Sequence, residues 1–184
     1  MTTNKGNIGK SAAAAAPAHD PKQVDQLLRK KTTAPEFCAQ LAAILHVRPT
    51  EVALLRLEKG LLRFLFPDEL KTAGAIPVSS SSAVAAHTAS TKKVELFNNF
   101  SKVKHASIFE TVKLGSAESS DLAPIQKLMS APILSREGQV MGVIQVCRKG
   151  LDITLAGADF TLDNLNTLEK AAHAAADAPF MKTA

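Results

Sequence analysis

The chain has 184 residues, of which 46% are apolar and 21% charged, as is ordinary for a globular protein with one packed core. It has no Trp and no Tyr, which disfavours the aromatic platforms that stack single-stranded nucleic acids. The net charge of +5 lies mostly in residues 1–31, where six Lys or Arg face two Asp. Since the rest is nearly neutral, the sequence predicts no nucleic-acid partner.

Cys38 and Cys147 are the only cysteines, and both have apolar neighbours. Two distant thiols form neither a metal-binding motif nor a disulfide framework. No segment has the length and hydropathy of a membrane span, and the alanine run at 12–16 is too short for a signal sequence. We therefore expect a cytoplasmic protein with no metal site and no membrane partner. The sequence leaves the cofactor unknown.

The N-terminal part predicts a tail followed by two helices. Residues 1–19 lack apolar periodicity and are rich in small polar residues, which predicts a disordered tail. Asp20 and Pro21 suit the start of a first helix, and Thr33 suits the cap of a second one. Apolar residues then recur at helical spacing up to Leu45, and the second helix should end before Pro49.

Residues 52–66 predict a β-hairpin, because two short apolar runs flank a turn at residues 58–60. Alternation predicts one shared face for Ala53, Leu55, Leu57, Leu62, Phe64 and Phe66. Short strands are predicted in "KTAGAIPV" (71–78) and "VELFNNF" (94–100). Between them, a helix is predicted from Ser82 to Ser90, capped by the serine run.

The stretch "ILSREGQVMGVIQV" (133–146) predicts a second hairpin with its turn at residues 135–138. The second strand of this hairpin has apolar residues at both odd and even positions, which indicates a strand covered on both faces. Pro132 predicts a sheet edge or a bulge, and Gly142 predicts a close approach of another group. A last helix is expected after Thr161, and the chain should fray at residues 179–184.

The predicted order is helix, helix, hairpin, helix, mixed segment, hairpin, helix. This order favours an α+β fold, with an antiparallel sheet and helices packed on its faces. The sequence also resembles the GAF domain family, the small-molecule-sensing fold related to PAS. "SAPILSREGQVMGVIQVCRKG" (130–150) is similar to that family's closing hairpin, and "DFTLDNLNTLEKAAHAAADA" (159–178) is similar to its last helix. With "FCAQLAAILHVRPTEVALLRLEKGLLRFLF" (37–66), the resemblance predicts one domain over residues 20–178.

The resemblance implies a ligand pocket between the sheet and residues 79–112. GAF domains bind cyclic nucleotides, tetrapyrroles or other small molecules there, and others serve as dimer modules. Differences between this sequence and the motifs of that family narrow the choice of ligand. Arg148 and Lys149 stand where cyclic-nucleotide-binding members have Asn and Lys, and no Cys between residues 39 and 146 is present to tether a tetrapyrrole. The members that reduce free methionine sulfoxide use three Cys, whereas this chain has two.

Candidate pocket residues lie in and around the predicted helix. The histidines can contact an anion or lie on the surface, the serines can cradle a ligand or cap the helix, and the asparagine can bind a ligand or form a turn. The predicted ligand pocket comprises Ser79, Ser82, His87, Phe97, Asn98, His105 and Phe109. No catalytic triad, phosphate-binding loop or metal-ligand spacing accompanies them.

The sequence therefore predicts a small-molecule-sensing or regulatory GAF-like domain that has no enzymatic activity and acts through a partner. The alternative is a ligand-free structural or dimerisation module. In either case a homodimer is expected, formed by the N- and C-terminal helices at residues 21–31 and 162–176.

Overall fold

A six-stranded antiparallel sheet forms the centre of the computed structural model, which describes residues 21–100 and 123–182. The spatial order of the strands is β3-β2-β1-β6-β5-β4. In chain order the strands are β1 (Val52–Glu58), β2 (Leu61–Phe66), β3 (Ala75–Pro77), β4 (Glu95–Phe97), β5 (Ile125–Leu134) and β6 (Val140–Lys149).

Helices cover both faces of this sheet. They are α1 (Pro21–Arg29), α2 (Ala34–Leu45), α3 (Val84–Thr91) and α4 (Leu162–Ala176). Helices α1, α2 and α4 pack on one face around Leu54 and Ile144, whereas α3 packs on the other face around Leu55 and Val143. We call these the α1/α2/α4 face and the α3 face. The predicted α+β fold with a sheet covered on both sides is confirmed.

Helix α2 begins and ends where the local chemistry requires. The Thr33 side chain accepts a hydrogen bond from the Glu36 N–H, and its hydroxyl donates to the Glu36 carboxylate at 2.9 Å. Pro35 suits the first turn because a proline there loses no helical hydrogen bond. At the other end His46 adopts a left-handed conformation with φ of 54°, and its N–H donates to the carbonyls of Ala42 and Ala43.

The β1–β2 hairpin turns at Lys59 and Gly60, which both have positive φ, as a two-residue turn demands. Its predicted face pattern holds from Leu62 to Phe64 but not at Phe66. The register shifts between Leu54 and Leu55, so that Phe66 pairs with Leu54 and packs on the α1/α2/α4 face. A β-bulge of this kind reverses the alternation of the residues beyond it.

The β5–β6 hairpin contains the longest strands that the structure describes, each of ten residues. Pro132 lies beyond Ser130, the last residue of β5 that pairs with β4, so its missing N–H leaves no gap in that ladder. A Cβ on Gly142 would lie 2.1 Å from the Leu55 carbonyl oxygen, so only glycine fits there.

Helix α3 starts later than the sequence predicted. The prediction was a serine-capped helix from Ser82, but the structure places Ala83 at the N-cap with no side-chain cap. The serines bond to one another instead, since Ser82 donates its N–H to the Ser80 hydroxyl oxygen at 3.4 Å. A hydroxyl used in this local turn does not reach the helix amides.

Helix α4 has the predicted Thr161 cap: its hydroxyl oxygen accepts the Asn164 N–H at 3.2 Å. The chain that follows differs from the predicted fraying at residue 179. Residues Pro179–Met181 form a 3-10 turn, Met181 is buried, and the Phe180 ring lies 5.4 Å from that of Phe37. The apolar side chains of this turn complete the core under α2. The predicted tail at residues 1–19 lies outside the described residues, and the boundaries 20–178 stay a prediction.

Candidate functional site

A row of polar side chains lies on the α3 face, in the middle of an otherwise apolar cluster. Glu95 on β4 pairs with Ser130 on β5, and Ser130 pairs with Gln145 on β6, so the three side chains follow one line across the sheet. Thr88 on α3 lies over this line, and the side chains of both Thr88 and Ser130 are fully buried. We call these four residues, with His87 at the rim, the polar row.

Short hydrogen bonds connect the polar row from end to end. The Thr88 hydroxyl donates to the Glu95 carboxylate at 2.6 Å and lies 2.7 Å from the Ser130 hydroxyl. The Gln145 side-chain amide donates to the Ser130 oxygen at 3.3 Å. His87 Nδ1 lies 2.8 Å from the other carboxylate oxygen of Glu95.

The chemistry of the groups fixes the direction of this chain of bonds. A hydroxyl has one proton, and Thr88 gives its proton to Glu95. Ser130 must then donate to Thr88, while its own oxygen accepts from Gln145. A carboxylate oxygen only accepts, so a hydrogen bond from His87 to it uses a proton on Nδ1. This carboxyl group lies at the rim of the row, where the Glu95 side chain is 16% exposed and the His87 side chain 61% exposed.

The fold brings these residues together through strand periodicity and tertiary packing. Alternate residues of a strand share a face, so Ser130 shares the α3 face with Leu128, and Gln145 shares it with Cys147. Helix α3 covers them with small residues, which are Ala85, Ala86 and Ala89. Because alanines allow a helix to approach closely, the Thr88 hydroxyl reaches the sheet.

The residues predicted for the pocket have several different environments. His87 is the rim member of the polar row and Phe97 lies beside the row, where its ring packs edge-on against Phe100 at 6.0 Å. Asn98 instead brackets the backbone of Phe160: its amide donates to the Phe160 carbonyl at 3.0 Å, and its oxygen accepts the Phe160 N–H at 2.9 Å. Both ends of the Asn98 amide therefore hold the segment of chain just before α4.

Ser79 and Ser82 are exposed in the loop before α3 and are not part of the polar row. His105 and Phe109 lie outside the described residues. The predicted pocket thus stays a prediction, and of its residues the structure places His87 in the polar row and Phe97 beside it.

Thr88, Glu95, Ser130 and Gln145 are not among the pocket residues predicted from the sequence. Ser130 and Gln145 did leave a signal, since each interrupts an apolar run in a strand that is buried on both faces. Thr88 and Glu95 left none, because their place depends on how α3 and β4 lie against β5.

The two thiols lie on opposite sides of the sheet. Cys38 belongs to the core of the α1/α2/α4 face, whereas Cys147 belongs to the α3 face. Burial raises the pKa of the Cys38 thiol far above its ordinary value, which makes its thiolate scarce at neutral pH. Within residues 21–100 and 123–182, no group of three or more His, Cys, Asp or Glu is placed to hold a metal ion.

No protein-family model and no curated protein matches the sequence, but solved structures match the fold. The GAF domain of an Acinetobacter phosphoenolpyruvate-protein phosphotransferase has a TM-score of 0.60 at 14% identity, over 85% of this chain and 87% of that chain. A putative GAF sensor protein from Burkholderia vietnamiensis has a TM-score of 0.55 at 12% identity, over 87% and 90% of the two chains. The chain has a GAF-like fold.

The same comparison corrects one prediction. The type II free methionine-R-sulfoxide reductase from Thermoplasma acidophilum matches with a TM-score of 0.53 at 15% identity, over 83% of this chain and 92% of that chain. The sequence predicted that this chain is not an enzyme. That prediction is contradicted, because a GAF-like fold similar to this one is found in an enzyme. The described helices include none that is both long and apolar enough to cross a bilayer.

Proposed function

We propose that this chain is a regulatory GAF-like domain that binds a small polar molecule on the α3 face and passes the event to a partner. The observation that carries the proposal is the polar row. Its four buried or largely buried side chains lie between a helix and a sheet that are otherwise apolar. The position agrees with the pocket that the family resemblance implies.

The energetics of burial support a role beyond packing. A buried polar group costs free energy unless it is hydrogen-bonded, and apolar residues of similar size would fill the same space without that cost. The polar row also ends in a carboxylate that is partly exposed beside an exposed histidine. We propose that the ligand is a small molecule with hydrogen-bond donors, which would bind to Glu95 at this rim.

A thermal-shift screen of the wild-type chain tests the proposal. The screen uses three ligand classes: nucleotides, amino acids and tetrapyrroles. A ligand that binds the native state raises the melting temperature, and a ligand at 100 times its Kd stabilises by about 2.7 kcal/mol. We expect at least one class to do so.

Two variants test whether the rise in melting temperature depends on the polar row. Ser130→Ala breaks the polar row and should abolish the ligand shift. Thr91→Val is the control, because the Thr91 side chain is exposed and its hydroxyl donates to a backbone carbonyl of α3, that of His87, rather than to a side chain of the polar row. Absence of a shift with every class, or an equal shift in both variants, would contradict the proposal.

The proposal extends to assembly and location. We propose a homodimer that uses α1 and α4, and a cytoplasmic location that suits two cysteines not joined in a disulfide. The apolar stripes of these helices are largely used within one chain, since Val24 and Leu28 are buried. Leu27 on α1 and Leu162 on α4 remain exposed and are the apolar contacts that such a dimer would use.

A second candidate function is reduction of an oxidised amino acid, which the reductase match supports. Cys147 is the thiol on the α3 face. The wild-type chain should then convert free methionine-R-sulfoxide to methionine, with dithiothreitol as the reductant. Cys147→Ser should abolish that yield, whereas Cys38→Ser should not. No methionine from the wild-type chain would remove this candidate.

A further inference from the structure

Asn98 joins the strand that carries Glu95 to the start of α4. It comes directly after β4, and its two hydrogen bonds to the Phe160 backbone, at 3.0 Å and 2.9 Å, use both ends of its amide. The residue after Phe160 is Thr161, the N-cap of α4. Because the exchange of two bonds with one residue is also how paired strands hold each other, Asn98 fixes the place where α4 begins.

This contact connects the two faces of the sheet. Glu95 belongs to the polar row on the α3 face, whereas Phe160 belongs to the core of the α1/α2/α4 face. Asn98 lies between them, at the edge of the sheet where β4 ends. A displacement of β4 at the polar row therefore has a short covalent and hydrogen-bonded path to α4.

Strand β4 is suited to such a displacement. Among the described strands it lies at one end of the sheet and pairs with β5 alone, through three residues. Elements with few backbone hydrogen bonds open or shift at a lower free-energy cost than the central strands of a core. A change in the hydrogen bonds of Glu95 can therefore move β4 while β5 and β6 stay in place.

The ring of Phe160 extends this connection to α2. The Arg148 guanidinium lies over the ring, 4.8 Å from its centroid, and donates to the carbonyls of His46 at 3.2 Å and Leu45 at 3.4 Å, where α2 ends. The Arg148 Nε is buried and has no hydrogen-bond partner among the described residues. Since an aromatic face attracts a cation, the position of Phe160 helps to set that of Arg148.

We propose that Asn98 is a positioning residue that transmits ligand binding at the polar row to α4. This inference rests on the proposed function, because it names how the event leaves the polar row. A ligand that bonds to Glu95 shifts β4, the Asn98 amide moves with the strand, and the backbone of Phe160 and Thr161 follows. A purely structural Asn98 would instead hold the start of α4 equally well in every state of the polar row.

Hydrogen exchange of the full chain, measured for single amides by NMR, tests this inference without a ligand. The readout is the Leu165 N–H, which donates to the Thr161 carbonyl at 3.1 Å in the first turn of α4. The reference is the Val78 N–H, which donates to the Gly60 carbonyl at 3.0 Å beside the opposite edge of the sheet. The ratio of the Leu165 rate to the Val78 rate reports local opening of α4, since global unfolding exposes both amides.

Thr88→Val breaks the polar row and should raise this ratio about fivefold in an otherwise wild-type chain, the effect of about one lost hydrogen bond. In an Asn98→Leu background the same substitution should change the ratio by less than about twofold. Asn98→Asp keeps the acceptor for the Phe160 N–H but loses the donor, and its response to Thr88→Val should lie between these two. It replaces Asn98→Leu if that variant does not fold.

Asn164→Ala is the matched control. The Asn164 side chain accepts the Thr161 N–H at 2.9 Å, so its loss loosens the start of α4 but leaves Asn98 in place. The response to Thr88→Val should persist in this background.

Three results would overturn the inference. They are an unchanged ratio when Thr88→Val is made in the wild-type chain, an undiminished rise in the Asn98 backgrounds, and a loss of the rise in Asn164→Ala as well as in Asn98→Leu. The last result would mean that Asn98 acts only through the stability of α4. No ligand enters these rates, so failure here is separable from failure of the proposed function in the thermal-shift screen.

Discussion

Thr88 is the residue on which the polar row depends, because it contacts both Glu95 and Ser130. Thr88→Val keeps the shape of the side chain but removes the hydroxyl. Ser130 then loses its acceptor and Glu95 loses a donor, so the free energy of unfolding should fall by about 1–3 kcal/mol. Urea denaturation followed by circular dichroism measures this loss.

The control for this loss is Thr91→Val, on the exposed side of the same helix. It should change the free energy of unfolding by less than about 0.5 kcal/mol. Equal effects of the two substitutions would show that the hydrogen bonds of the polar row contribute nothing to stability.

Gly142 is the residue that allows β1 and β6 to approach. In Gly142→Ala the added methyl group would lie 2.1 Å from the Leu55 carbonyl oxygen, and backbone must move to relieve that overlap. We expect a loss of about 3 kcal/mol in the free energy of unfolding, the upper end of the usual cost of overpacking. Gly138→Ala is the comparison, since Gly138 has φ of 74° but open space around it, and should cost only about 1–2 kcal/mol.

The roles of single residues could be predicted from the sequence in some cases and not in others. The close approach of another group at Gly142 was predictable, because this glycine lies in a strand whose odd and even positions are both apolar. The role of Thr88 could not, because a threonine in a short alanine-rich helix looks the same whether its hydroxyl faces solvent or the sheet. Only the packing of α3 on β5 decides that.

Among the secondary-structure elements, the contact between α1 and α4 gives a test that depends on pH. Arg29 on α1 donates to Asp177, the residue after α4, at 2.6 Å. That hydrogen bond lowers the pKa of the Asp177 carboxyl. A lowered pKa means that the pair stabilises the fold above the ordinary carboxyl value of about 3.9, and that this stabilisation is lost as the pH falls through the lowered value.

Asp177→Asn should therefore lower the free energy of unfolding by a small but measurable amount. Both side chains are nearly half exposed, so solvent screening limits the cost to about 0.5 kcal/mol at pH 7. The difference between wild type and variant should shrink below pH 3.9 and in 1 M salt. A difference that is independent of pH and salt, measured by urea denaturation, would show that the ion pair does not tie α1 to α4.

The order of the elements was predictable, and most of their ends were. The Thr33 and Thr161 caps and the two hairpin turns have local sequence signals, and the structure confirms them. The bulge that turns Phe66 to the other face has no such signal, because it arises from the pairing of β1 with β2. The start of α3 was misplaced because the serines bond to each other.

For the whole molecule, the proposed homodimer gives a direct test. Leu27 is the exposed apolar residue of α1, between two residues that α1 buries within its own chain. Leu27→Glu places a charge at the proposed contact and should convert a dimer into a monomer in light scattering. A wild-type chain that is monomeric at high concentration would contradict the dimer.

The proposed function depends on ligand binding at the polar row. A crystal structure of the chain with the ligand class that raises its melting temperature would show where the ligand lies. We expect the ligand on the α3 face, with a polar atom within about 3.5 Å of a carboxylate oxygen of Glu95. A ligand bound elsewhere, with the polar row unchanged beneath α3, would contradict it.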